Sequence, residues 1–368
     1  MNSRSNNSNS LVVEGYTYPS LLSLVIVTLK AGISVLLRGH PGVGKSSLAA
    51  EIARQLKLPL IDIRLAQRDP VELCGVHYPD KKKETLKLLP PEWVVKACKE
   101  PCLIVLDEIN SAITKLHQSI AYQIVLERRV GEFKFHEGTM VIGAGNLEED
   151  KAIVTKLSSA LCNRFAHFIM RPDVDSWLEW GVANNIDAAI LAYIANSGID
   201  SLYNNDGSHS FPSPRTWEMA SRVFKLAEPH DRKRAVASCV GVAEAERFFS
   251  YLRLYGKVDA RKIVYDGQKI SFNTAEKAEP SFIYAAVFAV ASFVSLGQPF
   301  NENELGNIVK FLNSPGLNAE FKMLFLKHVN QRSDLVSNLK PLPEFHKIAT
   351  ELVNLNAEVY CNKSGLGA

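Results

Sequence analysis

Residues 33–46 read ISVLLRGHPGVGKS. An apolar run, Ile33-Ser34-Val35-Leu36-Leu37, feeds a glycine-rich loop, Gly39-His40-Pro41-Gly42-Val43-Gly44-Lys45-Ser46. From Ser46 to Leu58 the chain is patterned as an amphipathic helix. A strand, a loop with this glycine spacing and a helix together predict a phosphate-binding element. Gly39, Gly42 and Gly44 let the backbone turn tightly, so that its N–H groups point inward around a phosphate. The helix N-terminus adds partial positive charge at the same spot. Lys45 would reach the β- and γ-phosphates of a nucleoside triphosphate, and the Ser46 hydroxyl would hold Mg²⁺. The candidate nucleotide-binding stretch is therefore continuous: Gly39, His40, Pro41, Gly42, Val43, Gly44, Lys45, Ser46 and Ser47.

Beyond this stretch, strand-like runs recur at Leu60–Leu65, Leu103–Leu106, Met140–Ile142 and Ala166–Met170. Helical stretches separate most of them: Ser47–Leu58, Pro91–Lys99 and Ala112–Leu126. Alternation of this kind predicts an α/β fold with a parallel sheet covered on both faces. Such sheets bind ligands at the carboxyl ends of their strands, where the loop sits. After Pro172 the strand signal fades. Val174–Asn184 and Ala188–Asn196 read as helices, with Trp177 and Trp180 on an apolar face. A polar loop, Asn196–Ser213, precedes helices at Pro214–Leu226 and Asp231–Leu254. Lys257–Ala275 suggests a short hairpin, and helix resumes at Pro280. The expected division is a tail at 1–10, an α/β core at 11–172, a helical lid at 173–255, a mainly helical extension at 256–345 and a C-terminal tail at 346–368.

Composition narrows the class. Of 368 residues, 46% are hydrophobic and 22% charged, ordinary values for a soluble globular protein with room for two or three structural units. A net charge of +3 gives no global field for nucleic acid. The opening MNSRSNNSNS lacks the apolar core of a signal peptide and reads as a disordered tail. Phe282–Leu296 is too short to span a bilayer. The six cysteines are scattered, and Cys98 and Cys102 have no second Cys/His pair for a metal site, which suits reduced thiols in a cytoplasmic setting.

Four further motifs carry chemistry. Leu103-Ile104-Val105-Leu106-Asp107-Glu108 is a buried strand ending in two acids. Asp107, at the strand tip, is the candidate Mg²⁺ ligand. Glu108 faces the other way and would orient or deprotonate the attacking water. In Met140–Asn146, the side chain of Asn146 would hydrogen-bond that water or the γ-phosphate. Arg164, in Leu157–Phe165, stands just before the next strand, where a guanidinium supplied to a neighbouring subunit would stabilise transition-state charge. Lys151, Lys156 and Arg171 are alternative cations for that role. In Phe211–Trp217, Ser213 caps a helix with Pro214 at its first position. Arg215 then stands where a lid over the nucleotide would read the γ-phosphate.

Taken together, GHPGVGKS, VLDEIN (Val105–Asn110), LERRVGEF (Leu126–Phe133), AGN (Ala144–Asn146), ALCNRF (Ala160–Phe165) and SPRTW (Ser213–Trp217) resemble the MoxR branch of the AAA+ ATPases. The likeness covers about Leu11 to Tyr255 and continues weakly to Arg332. It implies ATP as the nucleotide and assigns Lys45, Ser46, Asp107, Glu108, Asn146, Arg164 and Arg215 to the phosphate, Mg²⁺, catalytic, finger and sensor roles. It also implies a hexameric ring and a protein partner carrying a von Willebrand factor A-type domain. Two insertions facing the ring channel belong to this branch. Arg68–Pro90 falls at the helix-2 insertion, and Val130–Gly138 alternates like a hairpin at the presensor-1 insertion, with Phe133 and Phe135 on one face. Lys81, Lys82 and Lys83 are expected to be exposed. These segments read equally as a substrate-gripping pore or as a solvated hairpin and charge run.

The chain departs from the branch at Ser111–Gln118, SAITKLHQ, where relatives often carry acidic, proline-containing wording; His117 there reads as a helix residue, not a ligand. The lid of helix-2-insertion ATPases is often displaced, which leaves open whether Arg215 serves its own subunit or the next. The leading expectation is an ATP-driven remodelling machine acting on a protein. A DNA-associated motor rests on Lys81–Lys83 and a pI near 8.4, against which stand the balanced charge and the lack of an appended DNA-binding module, and a slow-hydrolysing nucleotide-gated scaffold would not need Glu108. No membrane partner is expected.

Overall fold

The computed structural model describes residues 18–80, 82, 84–111, 114–147, 157–274, 277–296, 299–330 and 332–352. The expected tail at 1–10, together with Lys81, Lys83, Lys151, Lys156 and residues 353–368, lies outside them. Two compact units divide the chain at Asp173/Val174.

The first unit opens with α1 (Tyr18–Lys30), β1 (Ser34–Gly39), α2 (Lys45–Leu56) and β2 (Leu60–Arg64). A short α3 (Pro70–Cys74), the hairpin strands β3 (Val76–Asp80) and β4 (Thr85–Leu89), and α4 (Glu92–Lys99) precede β5 (Leu103–Asp107). Then come α5 (Lys115–Tyr122), which runs into a π-helical turn at Gln123–Glu127, and the two-residue strands β6 (Arg129–Val130) and β7 (Phe133–Lys134). The unit closes with β8 (Met140–Gly145), α6 (Ser159–Cys162) and β9 (Phe165–Met170). Five strands form one sheet in the order β2-β5-β8-β1-β9, and every pairing is parallel.

Burial explains that order. Leu103 to Leu106 and Val35 to Leu37 are buried on both faces, so β5 and β1 take inner places. In β2, Ile61 and Ile63 are buried while Leu60, Asp62 and Arg64 are exposed, the alternation of an edge strand covered on one face. Ile52, Leu48, Val94, Ile120 and Ile124, from the helices and the π turn, complete the apolar layers. The helix expected at Ala112–Leu126 begins at Lys115 among the described residues. Thr114 caps it through the backbone N–H of His117, and the ring Nδ1 of His117 accepts from the Thr114 N–H at 3.4 Å. That ring also bonds the Arg68 carbonyl at 2.8 Å.

The second unit is helical among the described residues: α7 (Val174–Ala183), α8 (Ala188–Ser197), α9 (Ile199–Leu202), α10 (Pro214–Leu226), α11 (Arg232–Val240), α12 (Val242–Tyr255), α13 (Ala260–Val264), α14 (Pro280–Leu296), α15 (Glu302–Leu312), α16 (Ala319–Val329), α17 (Ser333–Leu339) and α18 (343–352). The stretch read as one helix over Asp231–Leu254 breaks at Gly241, where φ is 90°. The hairpin expected at Lys257–Ala275 is instead the short α13, because Asp259 accepts from the Lys262 N–H and starts a helix. α14 is apolar all round because it serves two cores. Ala285 and Phe288 join Trp217, Phe248 and Tyr193, while Phe282, Val287, Val290 and Val294 join Phe311, Phe325 and Ile308. The residues read as lid and extension therefore share one element. Phe345, Ile348 and Leu352 are also buried, so residues 346–352, read as the start of a tail, belong to this second core. Among the described residues no helix is long and apolar enough to cross a membrane.

Candidate nucleotide site

β1, β5 and β8 are neighbours, so the loops leaving their carboxyl ends meet. After β1, Gly42 and Gly44 take φ of 81° and 102°, left-handed values that open to glycine. The turn delivers Lys45 as the first residue of α2. Its Nζ donates to the carbonyls of Gly39 at 2.7 Å and His40 at 2.9 Å, and to Asn146 Oδ1 at 3.0 Å. One ammonium thus ties the loop after β1 to the end of β8. Gly44 caps α2 with no side-chain bond, so the first N–H groups of a 12-residue helix meet no side-chain cap at the loop. An ammonium, a turn of backbone N–H groups and a helix N-terminus are the donor set that a polyphosphate fits.

Ser46 Oγ donates to Asp107 Oδ2 at 3.3 Å. A hydroxyl and a carboxylate side by side are hard oxygen donors of the kind Mg²⁺ takes, and they stand beside the phosphate loop. The other oxygen, Asp107 Oδ1, accepts from the Glu108 N–H at 2.9 Å. Glu108 itself has φ 54°, a conformation that non-glycine residues rarely adopt and that tends to collect at functional sites. It lets the chain turn sharply off β5. Ser111 N–H to the Glu108 carbonyl and Ile109 N–H to the Ala144 carbonyl, both 2.9 Å, hold that turn. On the neighbouring β2, the Asp62 carboxyl is pushed above its ordinary range, first by partial burial and then by the negative charge of Asp107.

Lys45, Ser46, Asp107, Glu108 and Asn146 are thus gathered in one place, with His40, Pro41, Val43 and Ser47 in the same loop and helix start. Arg164 is not among them. It precedes β9, and β9 pairs with β1 in the register Ser34↔Phe165 to Gly39↔Met170. Five strand residues, about 17 Å, separate the level of Phe165 from that of the loop. Arg164 is exposed at the far end of the sheet. Its Nη2 lies 3.5 Å from Tyr122 Oη and its guanidinium 5.9 Å from the centre of that ring. Arg164 lines an open recess of about 700 Å³ with Ser159, Asn163 and His167. Arg215 belongs to the second unit, exposed in the first turn of α10. Ser213 caps that helix, accepting from the Thr216 N–H at 3.2 Å, and Trp217 is fully buried with Nε1 on the Ser201 carbonyl at 2.7 Å.

The two expected insertions take definite shapes. Arg68–Pro90 holds the β3–β4 hairpin, with Leu86 70%, Leu89 61% and Val76 56% exposed. Lys87 pairs with Asp80 at 2.7 Å. In the second insertion β6 and β7 do form a hairpin. Phe135, however, is only 3% exposed and packs edge-on to Trp93 at 5.9 Å, so it is neither a gripping residue nor a solvated one. The sequence motifs assign Asn110 no role. Here it is buried and bonds both main-chain groups of Asn146, a pairing across 36 residues that no local signal announces.

Residues 35–173 match the family model of the AAA ATPases, the "ATPase family associated with various cellular activities", and the match ends with the first unit. This stretch is a domain of that family, and ATP binding and hydrolysis follow from it. Among solved structures, the chain is similar to the Thermotoga maritima RuvB Holliday junction branch migration motor, at 16% identity, over 70% of this chain and 78% of that one, with a TM-score of 0.36. It is also similar to an ATPase candidate from Cytophaga hutchinsonii, at 14% identity over 88% and 89%, with a TM-score of 0.36. No curated protein matches the sequence.

Proposed function

We propose that the protein is a Mg-ATP-dependent ATPase of MoxR type that assembles into a ring, hexameric by resemblance, and uses hydrolysis at subunit interfaces to remodel a protein partner. One observation carries the reading: the residues assigned to hydrolysis stand at two ends of the sheet. Lys45, Ser46, Asp107, Glu108 and Asn146 cluster at the carboxyl ends, and Arg164 lies about 17 Å away along β9. An arginine at that end cannot serve its own γ-phosphate, whereas a second copy of the chain could receive it.

In this reading Lys45 and the loop N–H groups hold the triphosphate, and Ser46 and Asp107 hold Mg²⁺. The bound metal would neutralise charge on the phosphate oxygens. Glu108 takes a proton from the attacking water, Asn146 orients that water against the γ-phosphate, and Arg164 of the neighbouring subunit stabilises the charge that develops. Arg215 reports the state of the nucleotide to the helical unit. The exposed apolar side chains of the β3–β4 hairpin favour a protein client over a DNA motor. A von Willebrand factor A-type partner is the expectation carried from the family resemblance.

The reading is tested by the ATPase rate per subunit as a function of protein concentration. The rate should rise with assembly and collapse in Glu108→Gln and in Arg164→Ala. A concentration-independent rate, or an Arg164→Ala variant with wild-type turnover, contradicts it. Stimulation by DNA that vanishes at higher salt would favour the motor instead.

A further inference from the structure

Asn110 is 5% exposed and makes no contact that the chemistry above requires. Its carboxamide nevertheless spends both ends on one residue. Nδ2 donates to the Asn146 carbonyl at 2.8 Å, and Oδ1 accepts from the Asn146 N–H at 3.1 Å. Both partners are main-chain atoms, so the amide acts as a short piece of neighbouring strand and fixes the peptide units on either side of the Asn146 Cα. The Asn146 side chain is left to meet Lys45. The fit is close: a Cβ at Gly145 would lie 2.6 Å from Asn110 Oδ1, so only glycine there leaves room for the clamp.

Asn110 lies two residues beyond Glu108. Between them, the Ile109 N–H already bonds the Ala144 carbonyl of β8 at 2.9 Å. The turn that carries the glutamate is therefore attached to the strand that carries Asn146 at two successive residues, first by backbone and then by side chain. Without the second attachment, the last residue of that strand run would lose both of its lateral bonds just where its side chain must point at the nucleotide.

We propose that Asn110 is a positioning residue for ATP hydrolysis, locking the loop of Glu108 to Asn146 so that the water-activating carboxylate and the phosphate-reading amide keep a fixed separation. The inference rests on the reading of Glu108 and Asn146 given above.

The test uses the full chain with Asn110→Ala, Asn110→Asp, Asn146→Ala and the double variant Asn110→Ala/Asn146→Ala. Asn110→Asp keeps the side-chain volume and an acceptor for the Asn146 N–H, but it sets an oxygen against the Asn146 carbonyl, and it decides the matter if Asn110→Ala fails to fold. Turnover is measured with the affinities for ATPγS and ADP. In Asn110→Ala and Asn110→Asp, kcat should fall tenfold or more while KM for ATP stays within threefold. The preference for ATPγS over ADP should drop to that of Asn146→Ala. Adding Asn110→Ala to Asn146→Ala should change kcat less than twofold, because the clamp acts through Asn146. The proposal is overturned by wild-type turnover in the Asn110 variants, by effects that multiply in the double variant, or by equal losses of ATPγS and ADP affinity, which mark a merely structural role. If Asn146→Ala itself turns over normally, the reading of Asn146 fails. If Asn146→Ala is crippled and the Asn110 variants are not, only the clamp fails.

Discussion

Lys45 donates to the Gly39 and His40 carbonyls and to Asn146 Oδ1, which holds its ammonium at the phosphate loop. Lys45→Ala should weaken ATP binding roughly tenfold or more, measured by calorimetry, since charge-assisted bonds to phosphate are the strong ones. Glu108→Gln should behave differently: turnover falls by about 10²–10⁴-fold, the range of a general base, while ATP affinity is retained. A Glu108→Gln variant that loses ATP binding instead would place this residue in the binding set. The candidates that the structure gathers, Lys45, Ser46, Asp107, Glu108 and Asn146, could be picked from the sequence because each stands at a marked spot, after an apolar run or a glycine. Asn110 could not. Its motif assigns chemistry to Asp107 and Glu108 only, and its partner lies 36 residues on, so only the folded register of β5 beside β8 brings the two amides together.

At the scale of elements, the five strands were legible because their apolar runs are short, β-branched and separated by helical spacing. Their lateral order was not, since each pairs with strands distant in sequence. Short alternation misled most, because it does not say which face is covered. Phe133 and Phe135 alternate as a solvent-facing hairpin would, yet the turn of β6 and β7 carries Phe135 onto Trp93 and into the core. Phe135→Ala should therefore cost about 3–5 kcal/mol of stability, read from denaturant unfolding, as for other buried aromatic truncations. A change near zero would return Phe135 to the surface. Leu88 of β4 adds a contact that sequence does not show: a Cβ on Gly131, which has φ 55°, would come within 2.8 Å of it. The turn of the second hairpin at Gly131 thus lies close to Leu88 of the first.

For the molecule as a whole, the two units report separately. In the helical unit, His328 is buried against Phe288, and burial holds its imidazole down to about 4. Its unfolded-state value is about 6.5. The unfolded chain therefore takes up a proton first as pH falls, and stability that is full above pH 6.5 declines toward pH 4, by about 3 kcal/mol at most. Unfolding of His328→Leu should lack that decline; the same slope in both proteins would remove His328 as its cause. In the proposed function, hydrolysis by the nucleotide unit depends on assembly. The most direct measurement mixes two defective chains, Lys45→Ala, which keeps Arg164, and Arg164→Ala, which keeps the phosphate loop. Each alone should hydrolyse ATP at background rate, and the mixture should recover hydrolysis because one chain completes the other's site. A mixture that stays at background, or an Arg164→Ala protein active on its own, would contradict a site shared between subunits.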